Sequence, residues 1–228
     1  MATAIVTGSS SGIGEAIALM LLENGYDVIG LSRSRGIIDH PAFHHIPCDL
    51  RDPRQIESLK IPLCDAHPAL LVNCAGFGRF EPHEELSFET ISSMIALNLT
   101  APVLLSNLVL RELKKCNGMI VNITSIEATR HSKFSALYTA TKTGLRAFGH
   151  SLYEEVRAAG VGVLTLNPDM TDTPFFDELR FGVSENDDAK LFATDVAASL
   201  QAVLNLREGA GITELTIRSR KFGIAKKR

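Results

Sequence analysis

The feature that most constrains the fold of this chain is a glycine-rich turn that joins its first predicted strand to its first predicted helix. Residues 4–6 form a short apolar run, and Thr7-Gly8-Ser9-Ser10-Ser11-Gly12-Ile13-Gly14 follows directly. Glycines let a backbone turn sharply and approach a ligand closely, and a helix N-terminus offers free N–H groups with a partial positive charge. The segment therefore predicts a pyrophosphate cradle, with a plain glycine-rich turn as the alternative. The predicted binding residues in this turn are Gly8, Ser10, Ser11, Gly12, Ile13 and Gly14.

Apolar runs typical of strands alternate with helical patterns along the rest of the chain. The predicted strands cover residues 4–6, 28–31, 44–47, 69–72, 119–123, 161–166 and 215–217, and the two longest predicted helices cover about 88–115 and 136–159. Strands that are apolar throughout indicate a parallel sheet with both faces covered. The expected fold is therefore α/β: one domain over residues 1–228, built as a Rossmann-type, doubly wound parallel sheet of about seven strands with helices on both faces. Such sheets bind ligands at the carboxyl ends of their strands.

The composition is that of an ordinary soluble globular protein, with 45% hydrophobic and 21% charged residues. A net charge of −3 gives no general attraction to nucleic acid or to an anionic membrane. We expect a cytoplasmic protein, because no basic stretch leads into an apolar run at the N-terminus. The uncharged stretch 90–110 is long enough to span a bilayer. Its Ser, Asn, Thr and Pro residues instead favour a helix buried between the sheet and a partner subunit.

Neither the cysteines nor the C-terminal tail carries a recognisable binding motif. Cys48, Cys64, Cys74 and Cys116 form no C-x-x-C pair and have no His cluster beside them, so we predict reduced structural thiols and no metal site. The basic tail, residues 218–228, holds six Lys or Arg residues and no acid. A solvated terminus is its simplest interpretation, and phosphate binding is the alternative.

Three polar residues predict acid–base chemistry. Tyr138 and Lys142 are four residues apart on a predicted helix, which places both side chains on one face. A nearby ammonium stabilises a phenolate, so Lys142 is expected to lower the pKa of Tyr138. Ser125 follows the fifth strand at the same sheet edge as the glycine-rich turn, where its hydroxyl can hold a substrate oxygen. The alternative is an incidental Tyr/Lys pair on a helix face.

Together these motifs resemble the short-chain dehydrogenase/reductase family. Members carry Thr-Gly-x-x-x-Gly-Ile-Gly at the first turn, and they space their serine and tyrosine as Ser125 and Tyr138 are spaced here. Asn73-Cys74-Ala75-Gly76 is similar to the family's Asn-Asn-Ala-Gly, and the resemblance spans nearly the whole chain. It implies an oxidoreductase that pairs as a homodimer or homotetramer, with the catalytic residues Asn98, Ser125, Tyr138 and Lys142.

The end of the second strand favours NADP(H) as the cofactor, with NAD(H) as the alternative. An acid at this point binds the ribose 2′-hydroxyl of NAD, whereas a basic residue accepts the 2′-phosphate of NADP. The chain has Ser32 and Arg33 there and no acid, and the guanidinium fork suits a phosphate. Otherwise Arg33 is an ordinary surface arginine. The resemblance adds these cofactor-binding residues: Asp49, Leu50, Asn73, Ala75, Gly76, Tyr138, Lys142, Pro168, Asp169, Thr171 and Thr173.

At two positions, Asn98 and Asp169, the local sequence affects the expected backbone geometry. Pro102 lies four residues after Asn98 and has no N–H, so a helix that continues through it should kink and leave the Asn98 carbonyl free to hold a water. The alternative is that Asn98 only fills a helix bend. Asp169 stands where the family usually has glycine. Aspartate tolerates a positive φ better than most residues, so the turn is expected to survive.

The expected reaction interconverts the carbonyl and the secondary alcohol of a small-molecule substrate by hydride transfer, with Tyr138 as general acid–base. A non-catalytic, NADP-binding regulator or scaffold on the same fold is the alternative, and the intact Ser125, Tyr138 and Lys142 argue against it. Overall charge argues against a nucleic-acid-binding role for the tail. Arg79 and Glu127 either recognise a polar substrate group or are ordinary surface residues. The expected substrate pocket comprises residues 77–80, Ile126, Glu127, Phe134, Phe175 and Phe176.

Overall fold

Each predicted strand forms one strand of a seven-stranded parallel sheet. The computed structural model describes residues 2–207 and 209–226. Its helices are α1 (Gly12–Glu23), α2 (Pro53–Ser58), α3 (Lys60–Asp65), α4 (Phe88–Ile95), α5 (Ala101–Lys115), α6 (Ala136–Val156) and α7 (Ala193–Leu204). Its strands are β1 (Thr3–Thr7), β2 (Asp27–Ser32), β3 (Phe43–Pro47), β4 (Pro68–Asn73), β5 (Met119–Ile123), β6 (Gly162–Pro168), β7 (Thr171–Asp172), β8 (Phe181–Val183), β9 (Leu191–Phe192), β10 (Glu214–Ile217) and β11 (Ile224–Lys226).

The order of the sheet places the candidate site. The strands lie in the order β3-β2-β1-β4-β5-β6-β10, and all neighbours are parallel. The direction of winding reverses between β1 and β4, and a crevice opens outside the carboxyl ends of the strands at such a switch point. The predicted α/β class and the sheet of about seven parallel strands are confirmed.

Helices cover both faces of the sheet. Ala4 and Val6 belong to the apolar cluster that α1 and α7 complete, whereas Ile5 belongs to the cluster that α5 and α6 complete. All three residues are fully buried. Full burial of a valine or isoleucine side chain such as Val6 or Ile5 contributes about 1.5–3 kcal/mol. Because alternate residues of one strand are buried on opposite sides, the strand pattern is apolar throughout.

One helical run, Phe88–Lys115, is long and apolar enough by length and composition to cross a membrane. In the structure α5 packs against β4, α2 and α3, so this run is a core helix on the sheet, as the sequence predicts. A π-helical turn over Ala96–Thr100 interrupts it, where the N–H of Ala101 donates to the carbonyl of Ala96. The irregularity expected at Pro102 thus appears just before the proline, because a wider turn accommodates a residue that lacks an N–H. Burial against a partner subunit stays a prediction.

The C-terminal tail departs from the sequence prediction. Residues 218–226 do not form a solvated terminus, because β11 pairs antiparallel with β8. β8 belongs to the segment 173–192, which we call the lid. The end of the lid is held to the segment that follows β6 through the parallel pairing of β7 with β9. The acids that hold the tail lie on other segments, so the tail's own composition could not reveal them. Residues 227 and 228 lie outside the described part of the chain.

Candidate active site

A cavity of about 930 Å³ runs along the carboxyl ends of the strands from the glycine-rich turn to Tyr138. Its volume falls at the upper end of the range for ligand pockets, about 300–1,000 Å³. Of the predicted cofactor and catalytic residues, only Asn73 and Asn98 do not line it. The predicted residues that do line it are Gly8, Ser10, Ser11, Gly12, Ile13, Gly14, Ser32, Arg33, Asp49, Leu50, Ala75, Gly76, Ser125, Tyr138, Lys142, Pro168, Asp169, Thr171 and Thr173.

The glycine-rich turn has the shape of an anion cradle. Gly8 has a φ of 69°, and its N–H donates to the carbonyl of Leu31 at 2.8 Å. A Cβ at Gly14 would lie 2.3 Å from the carbonyl oxygen of Gly8, so α1 approaches the turn more closely than any side chain allows. The side chain of Ser11, which precedes α1, makes no capping hydrogen bond. The first N–H groups of α1 therefore remain available at the cavity, and this arrangement fits a pyrophosphate.

Two arginines line the end of the cavity beside β2. Arg33 is exposed. Arg51 pairs with Asp49, through Nε to Oδ1 at 2.9 Å and Nη2 to Oδ2 at 2.6 Å. These hydrogen bonds hold the pKa of the Asp49 carboxyl at about 2. Arg33 and Asp49 were predicted from the sequence, but Arg51 was not. The signal available for Arg51 was its position two residues after a predicted site acid.

Asn73 is held within the sheet and does not line the cavity, and its contact with the cofactor stays a prediction. It is buried, and its Nδ2 donates to Oδ1 of Asn122 at 2.9 Å across neighbouring strands. Thr7, which the sequence analysis did not select, holds the segment after β4. Its Oγ1 accepts the N–H groups of Cys74 at 2.8 Å and Ala75 at 2.9 Å. Thr7 therefore fixes this segment against the glycine-rich turn.

Ser125, Tyr138 and Lys142 meet at the opposite end of the cavity. Tyr138 and Lys142 lie on one face of α6 and are only 6% and 4% exposed. The Nζ of Lys142 donates to the carbonyl of Ile123 at 2.9 Å and lies 5.8 Å from the centre of the Tyr138 ring. The Ser125 hydroxyl lies close enough to Tyr138 to influence its pKa. The structure thus brings together the three residues that the sequence grouped, and it adds the Ile123 carbonyl that orients the lysine.

Burial controls the ionisation of this cluster. Desolvation raises the pKa of Tyr138 above its usual value, while the Ser125 hydroxyl acts in the opposite direction. The pKa of Tyr138 is therefore raised and not lowered as predicted, because desolvation by burial is the largest influence on it. Desolvation also lowers the pKa of Lys142 to about 8. At neutral pH Tyr138 is a proton donor and most of Lys142 is charged.

The cysteines of the described chain are free thiols. Burial raises the pKa of the Cys74 thiol to about 12, and the charge of Lys142 acts in the opposite direction. A thiol with so high a pKa is a weak nucleophile, which suits the small packing role predicted for Cys74. Over residues 2–207 and 209–226, no group of three or more His, Cys, Asp or Glu side chains could hold a metal ion.

Asn98 lies behind the cavity, inside the π-helical turn, and is fully buried. Its Nδ2 donates to the carbonyl of Phe77 at 2.8 Å, and its Oδ1 accepts the N–H of Phe77 at 3.1 Å. Nδ2 also contacts Oγ1 of Thr141 at 3.3 Å. Asn98 therefore fixes the backbone of Phe77 at the cavity. Its part in proton transfer stays a prediction.

The turn at Asp169 survives the loss of glycine, but not through a positive φ. Among the described residues other than glycine, the backbone has a positive φ at His67, Asn117 and Phe134. The Asp169 carboxylate accepts the N–H of Met170 at 2.9 Å through Oδ1 and the Nε of Arg218 at 3.2 Å through Oδ2. The side chain is therefore tied to its own turn and to the C-terminal tail.

Comparison with known proteins identifies the family. The sequence pattern of the family described as short chain dehydrogenase matches residues 2–183. The chain belongs to the short-chain dehydrogenase family. It is an oxidoreductase of the kind that acts on CH–OH groups. The matched part contains the glycine-rich turn, Ser125, Tyr138 and Lys142.

Relatives extend over almost the full length of the chain. An uncharacterized oxidoreductase of Staphylococcus haemolyticus is 30% identical over 225 residues, which cover 94% of this chain and 96% of that protein. An alcohol dehydrogenase from the archaeon Thermococcus sibiricus, complexed with 5-hydroxy-NADP, has a TM-score of 0.87 at 25% identity and covers 98% of this chain and 99% of its own. A metagenomic short-chain oxidoreductase in complex with NADP has a TM-score of 0.78 at 26% identity, with coverage of 95% and 96%.

Proposed function

We propose that the protein is an NADP(H)-dependent oxidoreductase that interconverts a carbonyl and a secondary alcohol, with Tyr138 as general acid–base. The observation that carries this proposal is the convergence of Ser125, Tyr138 and Lys142 on the cavity that also contains the glycine-rich turn. The cradle fits a pyrophosphate, and the same cavity reaches Tyr138, so a dinucleotide bound along it would end beside Tyr138.

The two arginines support NADP(H) over NAD(H). Arg33 and Arg51 both line the cavity at the end of β2, where a 2′-phosphate of the adenosine ribose would lie. Arg51 is engaged by Asp49, which leaves Arg33 as the stronger candidate for a bidentate phosphate contact. The archaeal alcohol dehydrogenase and the metagenomic oxidoreductase both hold NADP-type cofactors, in agreement with this choice.

The chain's own residues account for the proton transfer. A bound nicotinamide would supply or accept the hydride. Ser125 and Tyr138 would hydrogen-bond the substrate oxygen, where negative charge develops during reduction. Tyr138 then donates its proton to that oxygen, and burial favours the protonated form that this step requires. Lys142, oriented by the Ile123 carbonyl, would stabilise the phenolate that remains.

Assembly and location follow the family resemblance. We propose one domain over the chain, a cytoplasmic location and pairing into a homodimer or homotetramer. The proposed substrate is a small-molecule carbonyl or alcohol. No nucleic acid or membrane partner is proposed, because net charge is −3 and Phe88–Lys115 packs on the sheet.

A cofactor titration tests the proposed function. We expect NADPH at a hundredfold excess over its Kd to raise the melting temperature by about 5–10 °C, because it binds only the folded protein. NADH should give a smaller shift at the same concentration. NADPH-dependent turnover of a ketone should accompany the shift. Absence of any response to either cofactor would contradict the proposal. A shift with NADPH but no turnover would instead favour an NADP-binding regulator or scaffold.

Carbonyl reduction should slow above about pH 8. Lys142 has a lowered pKa of about 8, so its charge is present below that pH and is lost above it. Tyr138 has a raised pKa, so it keeps its proton across the same range. Reduction therefore falls when Lys142 loses its charge. Alcohol oxidation needs the Tyr138 phenolate, and it should rise with pH because the small phenolate fraction grows. The measurement is kcat/KM for both directions from about pH 6 to about pH 10; a flat reduction profile would contradict this assignment.

A further inference from the structure

The C-terminal tail is attached to the active-site end of the molecule at three points. Arg218 Nε binds Oδ2 of Asp169 at 3.2 Å. Lys221 Nζ binds Oδ2 of Asp188 at 2.8 Å, and its backbone N–H donates to the Asp188 carbonyl at 2.8 Å. β11 then pairs with β8, with Ile224 opposite Val183. The tail thus runs from the turn after β6 along the lid.

The tail and the lid are in close contact at Gly223. A Cβ at this position would lie 2.8 Å from Cβ of Ser184 and 3.0 Å from Cβ of Ala189. Both neighbours belong to the lid. Glycine is therefore needed there for the tail to reach β8, and a larger residue would separate the two segments. Gly211 is a natural contrast, because nothing lies within 4 Å of a Cβ built on it.

The strand that the tail holds carries part of an aromatic wall, which we define as Phe80, Phe175, Phe176 and Phe181. The Phe181 ring lies 5.2 Å from Phe80, and Phe80 lies 5.1 Å from Tyr138. Phe175 also contacts Tyr138, at 5.8 Å. The rings are tilted or edge-on, the geometry in which aromatic groups attract one another. An unbroken series of contacts therefore links the tail to Tyr138.

Ile224 lines the same cavity as this wall. It is 47% exposed, and its neighbour Phe222 is 74% exposed and does not line the cavity. An apolar ligand that covers an exposed isoleucine at the edge of a cavity is bound more tightly, because apolar surface is removed from water. The tail therefore contributes its own apolar surface to the pocket, besides holding β8.

Two charged side chains that line the cavity, Glu127 and Arg79, are already paired. Glu127 is buried and accepts from Nε of Arg130 at 2.6 Å and Oγ of Ser132 at 2.9 Å. Arg79 forms an ion pair with Glu178 of the lid. Glu127 and Arg79, which the sequence suggested could recognise a polar substrate group, are thus already bound to other side chains of the protein. A substrate carboxylate placed against the aromatic wall would meet rings and not these two side chains, and burying it there without a partner would be costly.

We propose that residues 218–225 of the tail form the outer boundary of the substrate pocket, and that this pocket takes a carbonyl compound with an apolar, ring-sized substituent. The proposal rests on the proposed function, since it assigns the substrate class of the same site. The aromatic wall would contact the ring while Ser125 and Tyr138 bind the carbonyl oxygen.

NADPH-dependent reduction of three probe ketones by the full chain tests this. The probes are acetophenone, which carries a ring, 2-butanone, which is small and apolar, and pyruvate, which is charged. We expect kcat/KM for acetophenone to exceed that for pyruvate by at least about tenfold. Ile224→Ala and Gly223→Val should each lower the acetophenone-to-butanone ratio of kcat/KM about 3- to 10-fold, because the ring loses contacts that the small ketone does not make. Phe222→Ala and Gly211→Val are the matched controls and should keep the wild-type ratio.

The possible outcomes separate this proposal from the proposed function. A preference for pyruvate, or wild-type ratios in both Ile224→Ala and Gly223→Val, would overturn the proposal while leaving the oxidoreductase function intact. Ile224→Ala shortens a partly exposed side chain, so it keeps the test valid if Gly223→Val fails to fold. If no ketone is reduced and neither cofactor raises the melting temperature, the proposed function fails and this proposal fails with it.

Discussion

Replacing Tyr138 by phenylalanine should lower kcat for ketone reduction by about 10²- to 10⁴-fold, the usual contribution of a general acid. The substitution removes one oxygen and leaves the ring. The ring contacts Phe80 at 5.1 Å and Phe175 at 5.8 Å, so the shape of the pocket should be kept. NADPH binding should change little, because the cradle and Arg33 lie at the far end of the cavity.

The measurement is kcat with saturating NADPH, together with the melting-temperature shift that NADPH causes. Tyr153→Phe is a matched control on the same helix, because Tyr153 does not line the cavity. It should leave both quantities near wild type. A Tyr138→Phe enzyme with near-normal turnover would remove Tyr138 from the mechanism, and Ser125 would then be the next candidate for the proton donor.

Removal of the Arg33 guanidinium should weaken NADPH binding by about 10- to 100-fold. Hydrogen bonds to a charged group contribute about 1.5–3 kcal/mol, and each 1.4 kcal/mol corresponds to about tenfold in Kd. NADH lacks the 2′-phosphate, so its Kd should change by less than about threefold. The expected result for Arg33→Ala is therefore a selective loss of NADPH affinity. Titration of both cofactors, followed by the fluorescence of the reduced nicotinamide, measures it.

Arg35→Ala is the matched control for this prediction. Arg35 is exposed two residues further along the chain and does not line the cavity. Its loss should leave both affinities near wild type, apart from a small effect of net charge. Equal weakening of NADPH and NADH by Arg33→Ala would contradict a role in phosphate recognition. Arg51→Ala would then test the second arginine at this end of the cavity.

The sequence determined the fold because its signals are local and agree with one another. A strand buried on both faces must be apolar throughout, and the inner strands of the sheet are recognisable on that ground. The edge strands β3 and β10 are only partly buried and include His44, His45 and Glu214, so their signal is weaker. The short helices α2 and α3 and the helix α7 were not predicted. The first two have six residues each, too few for a clear helical period. α7 follows the lid directly, without a turn signal to mark where it begins.

Part of the candidate site was also encoded locally. The glycine-rich turn, Tyr138 with Lys142, and Ser125 each follow from spacing within one element and from the rule that parallel strands end at one edge. The ionisation of Tyr138 could not be read in this way. A four-residue spacing predicts proximity to a cation, but the pKa depends on desolvation by side chains from distant segments. Phe80 and Phe175, which contact the Tyr138 ring, lie far from it in sequence.

Sequence alone thus determined the sheet, the family resemblance, and the residues at the strand ends, because each depends on a repeating pattern or a fixed spacing. Tertiary structure decided the rest. In the folded chain Asp169 pairs with Arg218, and the buried Asn73 bonds to Asn122 and does not line the cavity. The tail, whose sequence resembles a solvated terminus, binds the lid through Lys221 and Asp188. These contacts join residues that are far apart in the chain. Their existence depends on which surfaces folding brings together, and no local pattern records that.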